Sequence, residues 1–473
     1  MRKNIAHYFR SFADIKTETM DFSEQIFSAE EWEACLKVLH ALKDQPFRNP
    51  DNKTFSGLIT KIHKNAKKQN RHELYSEMKA HDLAVNAGSV LMQKALAGVS
   101  AFYDDVKDEV KLTKLQIPKN CYCCNQSYQY AHSFYSRLCP QCAAENYEKR
   151  FEKADLTGRN VILTGGRVKV GFATALKLLR SGANLVLTTR FPAVAMELMQ
   201  QETDYENWKD RLWIYGLDLR NLKAIQEFTD FYKFNFDTLD ILINNAAQTI
   251  KYPDEYYLPV VQREKEKLMD FKDLQNLIPN CTEISHEMTK LEYAQNEMTQ
   301  VALTRFGQPV DNREKTSWNS TLIEVSMYEL VEVNLINHIA PYFLIKELKP
   351  LMKNSSHKEK FIINVTSSEG IFSYENKTVY HPHTNMTKAA LNMMTLTSAR
   401  EFENDQIYMT AVDVGWISTG AKESLRKKQF EQGYIPPLDS VDGAARILHP
   451  VIEGINGKCF SGVLLKNYKI HTW

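Results

Sequence analysis

The stretch that decides the fold is Val161-Ile162-Leu163-Thr164-Gly165-Gly166-Arg167-Val168-Lys169-Val170-Gly171. Three consecutive apolar residues, two of them β-branched, read as a strand buried on both faces, and Phe172 to Ser181 then carries the spacing of a helix. A glycine-bearing turn between such elements brings backbone N–H groups and a helix N-terminus to one point, where a pyrophosphate can be held.

Working outward, the same rhythm repeats. Leu185-Val186-Leu187, Leu212 to Leu217, Leu239 to Ile243, Phe361 to Val365 and Tyr408 to Val412 read as further strands with helices between them, and Cys459 to Leu465 as a closing strand. Continuous apolar strands alternating with helices predict an α/β domain over residues 155–473, a doubly wound parallel sheet of the Rossmann kind. One segment breaks the rhythm. Residues 251–323 are polar, charged and helix-prone, which predicts an insertion over or beside the cleft.

A chain of 473 residues exceeds one ordinary core, so more than one domain is expected. With 43% hydrophobic and 25% charged residues it reads as globular, and a net charge of +1 offers no general attraction for nucleic acid or an anionic membrane. No run of about 18 apolar residues predicts a spanning helix, and Met1 to Phe12 lacks the apolar run of a secretory signal. A cytoplasmic location is expected. Residues 1–118 predict an α-helical domain, with Ser28 as N-cap and helices over 55–68, 72–83 and 87–106. The basic run Lys61 to Arg71 reads as a solvated face. This domain carries no catalytic signature, and its helices are the expected place for a protein partner.

Five of the eight cysteines lie between Cys121 and Cys142. Cys121-Tyr122-Cys123-Cys124 and Cys139-Pro140-Gln141-Cys142 form two C-x-x-C pairs, which predict a four-thiolate zinc (Zn2+) module over residues 119–150. Cys123 is then spare, with Cys123 for Cys121 or His132 as substitute ligands. Four protein ligands leave no position for substrate, so the expected role is structural.

The turn Thr164 to Gly171 resembles the T-G-x-x-x-G-x-G fingerprint of the short-chain dehydrogenase/reductase family, with Thr164, Gly165 and Gly171 in place and Lys169 at the middle glycine. The second strand ends in Arg190, which with Arg167 and Lys169 suits the 2′-phosphate of NADP better than the free ribose of NAD. On the resemblance Asp218 contacts the adenine, and Asn245, in Asn244-Asn245-Ala246-Ala247, lies against the cofactor. Thr419, beyond Val412-Asp413-Val414-Gly415, holds the nicotinamide carboxamide.

The family's catalytic Asn, Ser, Tyr and Lys map onto Asn334, Ser367 (with Ser368 as the neighbouring alternative) and Lys388, but four residues before Lys388 stands Thr384. A threonine hydroxyl is far less acidic than a phenol. His383, beside it, has a side chain suited to proton transfer and is the candidate substitute, with His381 and Tyr380 as alternatives. The C-x-x-C pairs, the T-G-G-R-V-K-V-G turn and the H-P-H-T-N-M-T-K helix together resemble a bacterial and fungal subgroup of the family. Two readings follow. One is an NAD(P)-dependent oxidoreductase, NADP favoured, moving a hydride to or from a carbonyl or alcohol substrate. The other is a dinucleotide-binding pseudoenzyme acting as a sensor or scaffold. A second copy of the chain is a further partner allowed by either reading.

Overall fold

The computed structural model describes residues 27–96, 107, 109–279, 309, 311, 313–373, 377–417, 428–430 and 432–473. The chain divides into two compact units, Met1–Met78 and Lys79–Trp473. In the first, helix α1 (Ala29–Leu42) starts from a capping box in which the Ser28 hydroxyl accepts from Glu31 N and the Glu31 carboxylate accepts from Ser28 N. None of its residues is buried. The long helix α2 (Asn52–Ala87) covers the two ranges read as separate helices, because neither glycine nor proline interrupts it between Leu58 and Ala87. Helix α3 (Val90–Leu96), which belongs to the second unit, follows Gly88 and Ser89.

In the second unit, strand β1 (Leu112–Asn120) pairs antiparallel with β2 (Ser127–His132), so strand structure begins inside the range read as helical. Helix α4 (Pro140–Phe151) completes this small module. Its core of Leu115, Tyr128, Phe134, Tyr135, Leu138 and Tyr147 includes Ile435 and Leu438 from the far end of the chain.

The main sheet comprises β3 (Asn160–Thr164), β4 (Asn184–Thr189), β5 (Leu212–Gly216), β6 (Ile241–Asn244), β7 (Leu277–Ile278), β8 (Lys360–Thr366), β9 (Ile407–Asp413), β10 (Val463–Lys466) and β11 (Lys469–His471). Its spatial order is β11-β10-β9-β8-β6-β3-β4-β5-β7. Every pair is parallel except β10 with β11. The helices are α5 (Lys169–Arg180), α6 (Pro192–Gln200), α7 (Leu222–Asn235), α8 (Leu258–Asp270), α9 (Met327–Asn334), α10 (Ala340–Asn354), α11 (Pro382–Glu403) and α12 (Ser440–Ile455). Strand side chains alternate between two cores. Val161 and Leu163 join Phe172, Leu176, Ala444 and Ile447 of α5 and α12, whereas Ile162 joins Phe228, Leu344 and Ala399 of α7, α10 and α11. This is the doubly wound α/β sheet expected from the strand texture.

From β3 the chain winds toward β5, then returns to start the other half at β6. The strand order reverses between β3 and β6, which opens a crevice at their C-terminal ends. The segment over residues 251–323 does two things. Its helix α8 packs Leu258, Val260 and Val261 on Phe191 and Val194, and β7 extends the sheet edge beside β5. Its two ends, through Tyr252, Tyr257, Arg313 and Trp318, border the crevice. No helix among the described residues is long and apolar enough to cross a membrane.

Candidate active site

A cleft of about 1130 Å³ occupies the switch point. Its floor is the β3–α5 turn, tied to the end of β6. The Thr164 hydroxyl accepts from the backbone N–H of Asn245 (3.1 Å) and Ala246 (3.0 Å), while Asn245 Nδ2 donates to the carbonyls of Thr164 (3.0 Å) and Gly165 (3.1 Å). Two glycines are obligatory here. A Cβ on Gly171 would lie 2.1 Å from the Gly165 carbonyl oxygen, and Gly165 has φ +71° with Ala246 2.9 Å from where its Cβ would stand. Lys169, where the family pattern has its middle glycine, keeps the left-handed backbone of a glycine (φ +51°) and exposes its side chain on the cleft wall.

At one end of the cleft stand Arg167 and Arg190. The Arg190 guanidinium lies 4.5 Å from the centre of the Tyr257 ring, and that of Arg167 lies 5.3 Å from the Phe191 ring. Burial, and then the like charge of Arg190, push Arg167 down to about 10. The carboxylates around them are already engaged. Asp218 accepts from Arg220 Nε at 3.0 Å, which with Arg190 holds it below the usual carboxylate range although burial opposes this. Glu264, from α8, caps α6 by accepting from Ala193 N and Val194 N, both at 2.8 Å. A corner with two mutually repelling guanidinium groups is suited to an anion.

Toward the other end, β8 and α11 deliver Ser367 and Lys388. Both line the cleft with Thr384. Lys388 is buried, its Nζ donates to the Val365 carbonyl (2.8 Å), and burial lowers its pKa to about 8, with Glu369 opposing. The Ser368 hydroxyl is committed to Asp413 (2.8 Å), whereas that of Ser367 has no protein partner among the described residues. The Thr384 hydroxyl donates back to the His381 carbonyl at 2.9 Å.

Two expected residues are elsewhere. His383 faces away from the lining and pairs through Nε2 with Glu329 (3.2 Å), and Asn334 lies outside the lining, bonded to the Leu330 carbonyl (2.6 Å) and to His338 (2.8 Å). Asn337 is also outside the lining, but it is almost fully buried and bonds to Gln248, which does line the cleft. It accepts from Gln248 N (2.8 Å) and donates to the Gln248 carbonyl (3.1 Å) and to the Thr387 hydroxyl (2.9 Å). It sits in a π-turn over Leu335–Ile339, where Pro341 has no N–H to give the carbonyl four residues earlier. The Ala340-Pro341 pair was the only signal in the sequence. Thr419 lies outside the described residues. Tyr122, Trp318, Trp416 and Tyr434 also line the cleft and were not foreseen.

The Sγ atoms of Cys121, Cys124, Cys139 and Cys142 lie within 4.8 Å of one another, and Cys124 and Cys139 are 3.7 Å apart. Tetrahedral bonds of about 2.3 Å place sulfur atoms about 3.8 Å apart, so the set fits a zinc-sized ion and is far too open for disulfides. Cys123 stays out of the set, contacting Arg446 Nη2 (3.9 Å), and burial raises its thiol to about 12. His132 is not in the cluster; its Nδ1 accepts from Phe134 N.

With this geometry in view, residues 159–276 match the short chain dehydrogenase family model and residues 314–435 match the enoyl-(acyl carrier protein) reductase model. The gap between the matches falls within residues 251–323. "Uncharacterized protein R665" of Acanthamoeba polyphaga mimivirus is 32% identical over 358 residues, covering 72% of this chain and 73% of that protein. Retinol dehydrogenase 13 of Homo sapiens is 36% identical over 95 residues, 20% of this chain and only 28% of that one. Among solved structures, the NADPH-bound carbonyl reductase from chicken fatty liver aligns over 67% of this chain and all of its own, at 17% identity and a TM-score of 0.41. The chain belongs to the short-chain dehydrogenase family.

Proposed function

We propose that the chain is an NADP-linked oxidoreductase that moves a hydride to or from the carbon of a carbonyl or alcohol substrate. The observation that carries this reading is the convergence, in one cleft, of the glycine turn, the Arg167–Arg190 corner, Ser367 and buried Lys388. The β3–α5 turn and Asn245 would hold the pyrophosphate, Arg167, Arg190 and Lys169 the 2′-phosphate, and Asp218 the adenine. The bound dinucleotide supplies or accepts the hydride. Ser367 would donate its free hydroxyl to the substrate oxygen, and Asn337, not Asn334, would brace α11 beneath the site. Thr384 has spent its proton on a backbone carbonyl and His383 is turned away, so neither serves as the acid. Lys388, buried and lowered to about 8, is suited to hold the ribose and to pass a proton to the substrate oxygen, regaining it from water.

The four thiolates would hold a structural zinc, a chemistry at home in a reducing compartment such as the cytoplasm. Lys169 in place of glycine and the committed Thr384 hydroxyl favour the second reading, a dinucleotide-binding protein without turnover. Fluorescence titration with NADPH and NADH tests both, since a protein that binds neither fits neither. Turnover against aldehydes, ketones and quinones then separates them: the oxidoreductase loses its rate in Lys388→Ala, and equal background rates in the two proteins leave only the second. Metal analysis of Cys121→Ser/Cys139→Ser protein should show zinc lost; full stoichiometry would refute the zinc assignment.

A further inference from the structure

The turn that carries two of the four clustered thiols also carries Tyr122, and Tyr122 lines the ligand cleft. The backbone of this residue is anchored in the module, where its N–H donates to the Arg137 carbonyl (3.0 Å), directly after the buried thiol Cys121. Its phenol reaches across to the β9 end of the sheet, where the hydroxyl accepts from the backbone N–H of Trp416 (2.8 Å). The Tyr122 and Trp416 rings are 6.4 Å apart. Arg137, from the loop before Cys139, adds a second strut. Its guanidinium lies 4.8 Å from the Trp416 ring centre and 4.6 Å from that of Tyr434, and Nη1 donates to the Ile435 carbonyl (3.1 Å).

The segment so held, Asp413 to Ile417, is itself part of the cleft wall. Asp413 ends β9, and from Val414 to Ile417 the segment has no regular secondary structure of its own to fix it. Gly415 takes φ +81°, and a Cβ there would meet Arg446 Nη1 at 2.1 Å, so the turn is pressed against a buried guanidinium from below and tied to Tyr122 from the side. A four-thiolate ion fixes two turns of chain relative to each other. Tyr122 and Arg137 stand on those turns.

We propose that the four-cysteine metal site is an integral part of the ligand cleft, and that Tyr122 is the positioning residue through which an ion at that site orders the Asp413–Ile417 wall and tightens dinucleotide binding. The cleft's ligand is taken from the reading above; the coupling between metal and wall is independent of it. The Tyr122 hydroxyl accepts from Trp416 and has no protein acceptor for its own proton among the described residues, so it also offers a donor to an oxygen of the bound molecule.

Hydrogen exchange of the full chain, read at the peptide containing Trp416, tests the coupling. The proteins compared are zinc-loaded wild type, wild type stripped by a chelator, and zinc-loaded Tyr122→Phe. Loss of one hydrogen bond should speed exchange at Trp416 about fivefold in Tyr122→Phe with zinc content unchanged, and stripping should do at least as much. NADPH titration of the same proteins should show Kd raised about threefold to tenfold. Arg137→Met, which keeps the thiol set and the phenol, should move Trp416 exchange in the same direction. Unchanged exchange in zinc-loaded Tyr122→Phe, or on stripping, overturns the coupling. Faster exchange with an unchanged Kd overturns the link to the ligand. Wild type that binds no NADPH would refute the dinucleotide reading while the exchange arm still decides the coupling.

Discussion

Replacing Lys388 by methionine should stabilise the protein and cost it its chemistry. The ammonium is nearly fully buried, and burial brings its pKa from the ordinary 10.5 to about 8. Because the folded value lies below the unfolded one, the unfolded chain binds the extra proton between pH 8 and 10.5. Stability therefore rises with pH across that window, and the penalty is fully present below pH 8. A lowering from 10.5 to about 8 corresponds to about 3 kcal/mol. Methionine keeps the apolar contacts but deprives the Val365 carbonyl of its donor, which costs about 1 kcal/mol. The net gain near pH 7 is then about 2 kcal/mol, or about 3 °C in melting midpoint for a unit of this size. Above pH 10.5 the sign reverses, because only the lost hydrogen bond remains. Thermal melts of wild type and Lys388→Met from pH 6 to 11 read this directly, with NADPH affinity and turnover measured alongside. A variant destabilised by the same amount at every pH would show that no desolvated ammonium is involved, and the proton role given to Lys388 would fall with it.

Other expectations follow from the same geometry. Arg190→Ala should raise the Kd for NADPH about tenfold to a hundredfold and leave that for NADH within about twofold, because only the 2′-phosphate meets the guanidinium pair; equal losses for both dinucleotides would refute that placement. Gly171→Ala should abolish binding of both dinucleotides and lower the melting midpoint, since the new Cβ would overlap the Gly165 carbonyl and force the turn open; retained affinity would mean the turn is not the phosphate site. Burial raises Glu264 from 4.5 to about 7 despite its two N–H donors. Its protonated form is thus favoured by folding, and wild-type stability should fall as pH rises from 4.5 to 7, a slope that Glu264→Gln flattens. Asn337→Ala should cut both stability and turnover, whereas Asn334→Ala should leave turnover within about twofold; the reverse ranking would restore Asn334 to the site.

The fold was legible because a parallel sheet buried on both faces writes its strands as continuous apolar runs, and β3, β4, β6, β8 and β9 each contain one. The β3–α5 turn was legible for a steric reason. At Gly171 nothing larger fits, so the residue type itself records the geometry. β7 was not legible, being two residues long and recognisable only from its pairing with β5. The joining of the cysteine module to the β9 end of the sheet was hidden too. Tyr122 and Trp416 are 294 residues apart, and an aromatic between two cysteines reads as local core until the fold brings its hydroxyl to a distant N–H.

The two asparagines show where a spacing rule carries into the structure and where it does not. Lys388 follows Thr384 by four residues on α11, a helix regular from Pro382 onward, so the i, i+4 rule holds and both reach the cleft. Asn334 and Asn337 stand on a helix that is not regular. In an undistorted helix, residues three apart share a face and the choice between them would matter little. The π-turn at Leu335–Ile339 accommodates an extra residue per hydrogen-bonded ring, and of the pair it is Asn337 that is almost fully buried. Its amide then holds the Thr387 hydroxyl, one residue before Lys388. The distortion therefore fixes the register of the lysine as well as its own asparagine. An active site that lacks the family phenol depends the more on that lysine being held still.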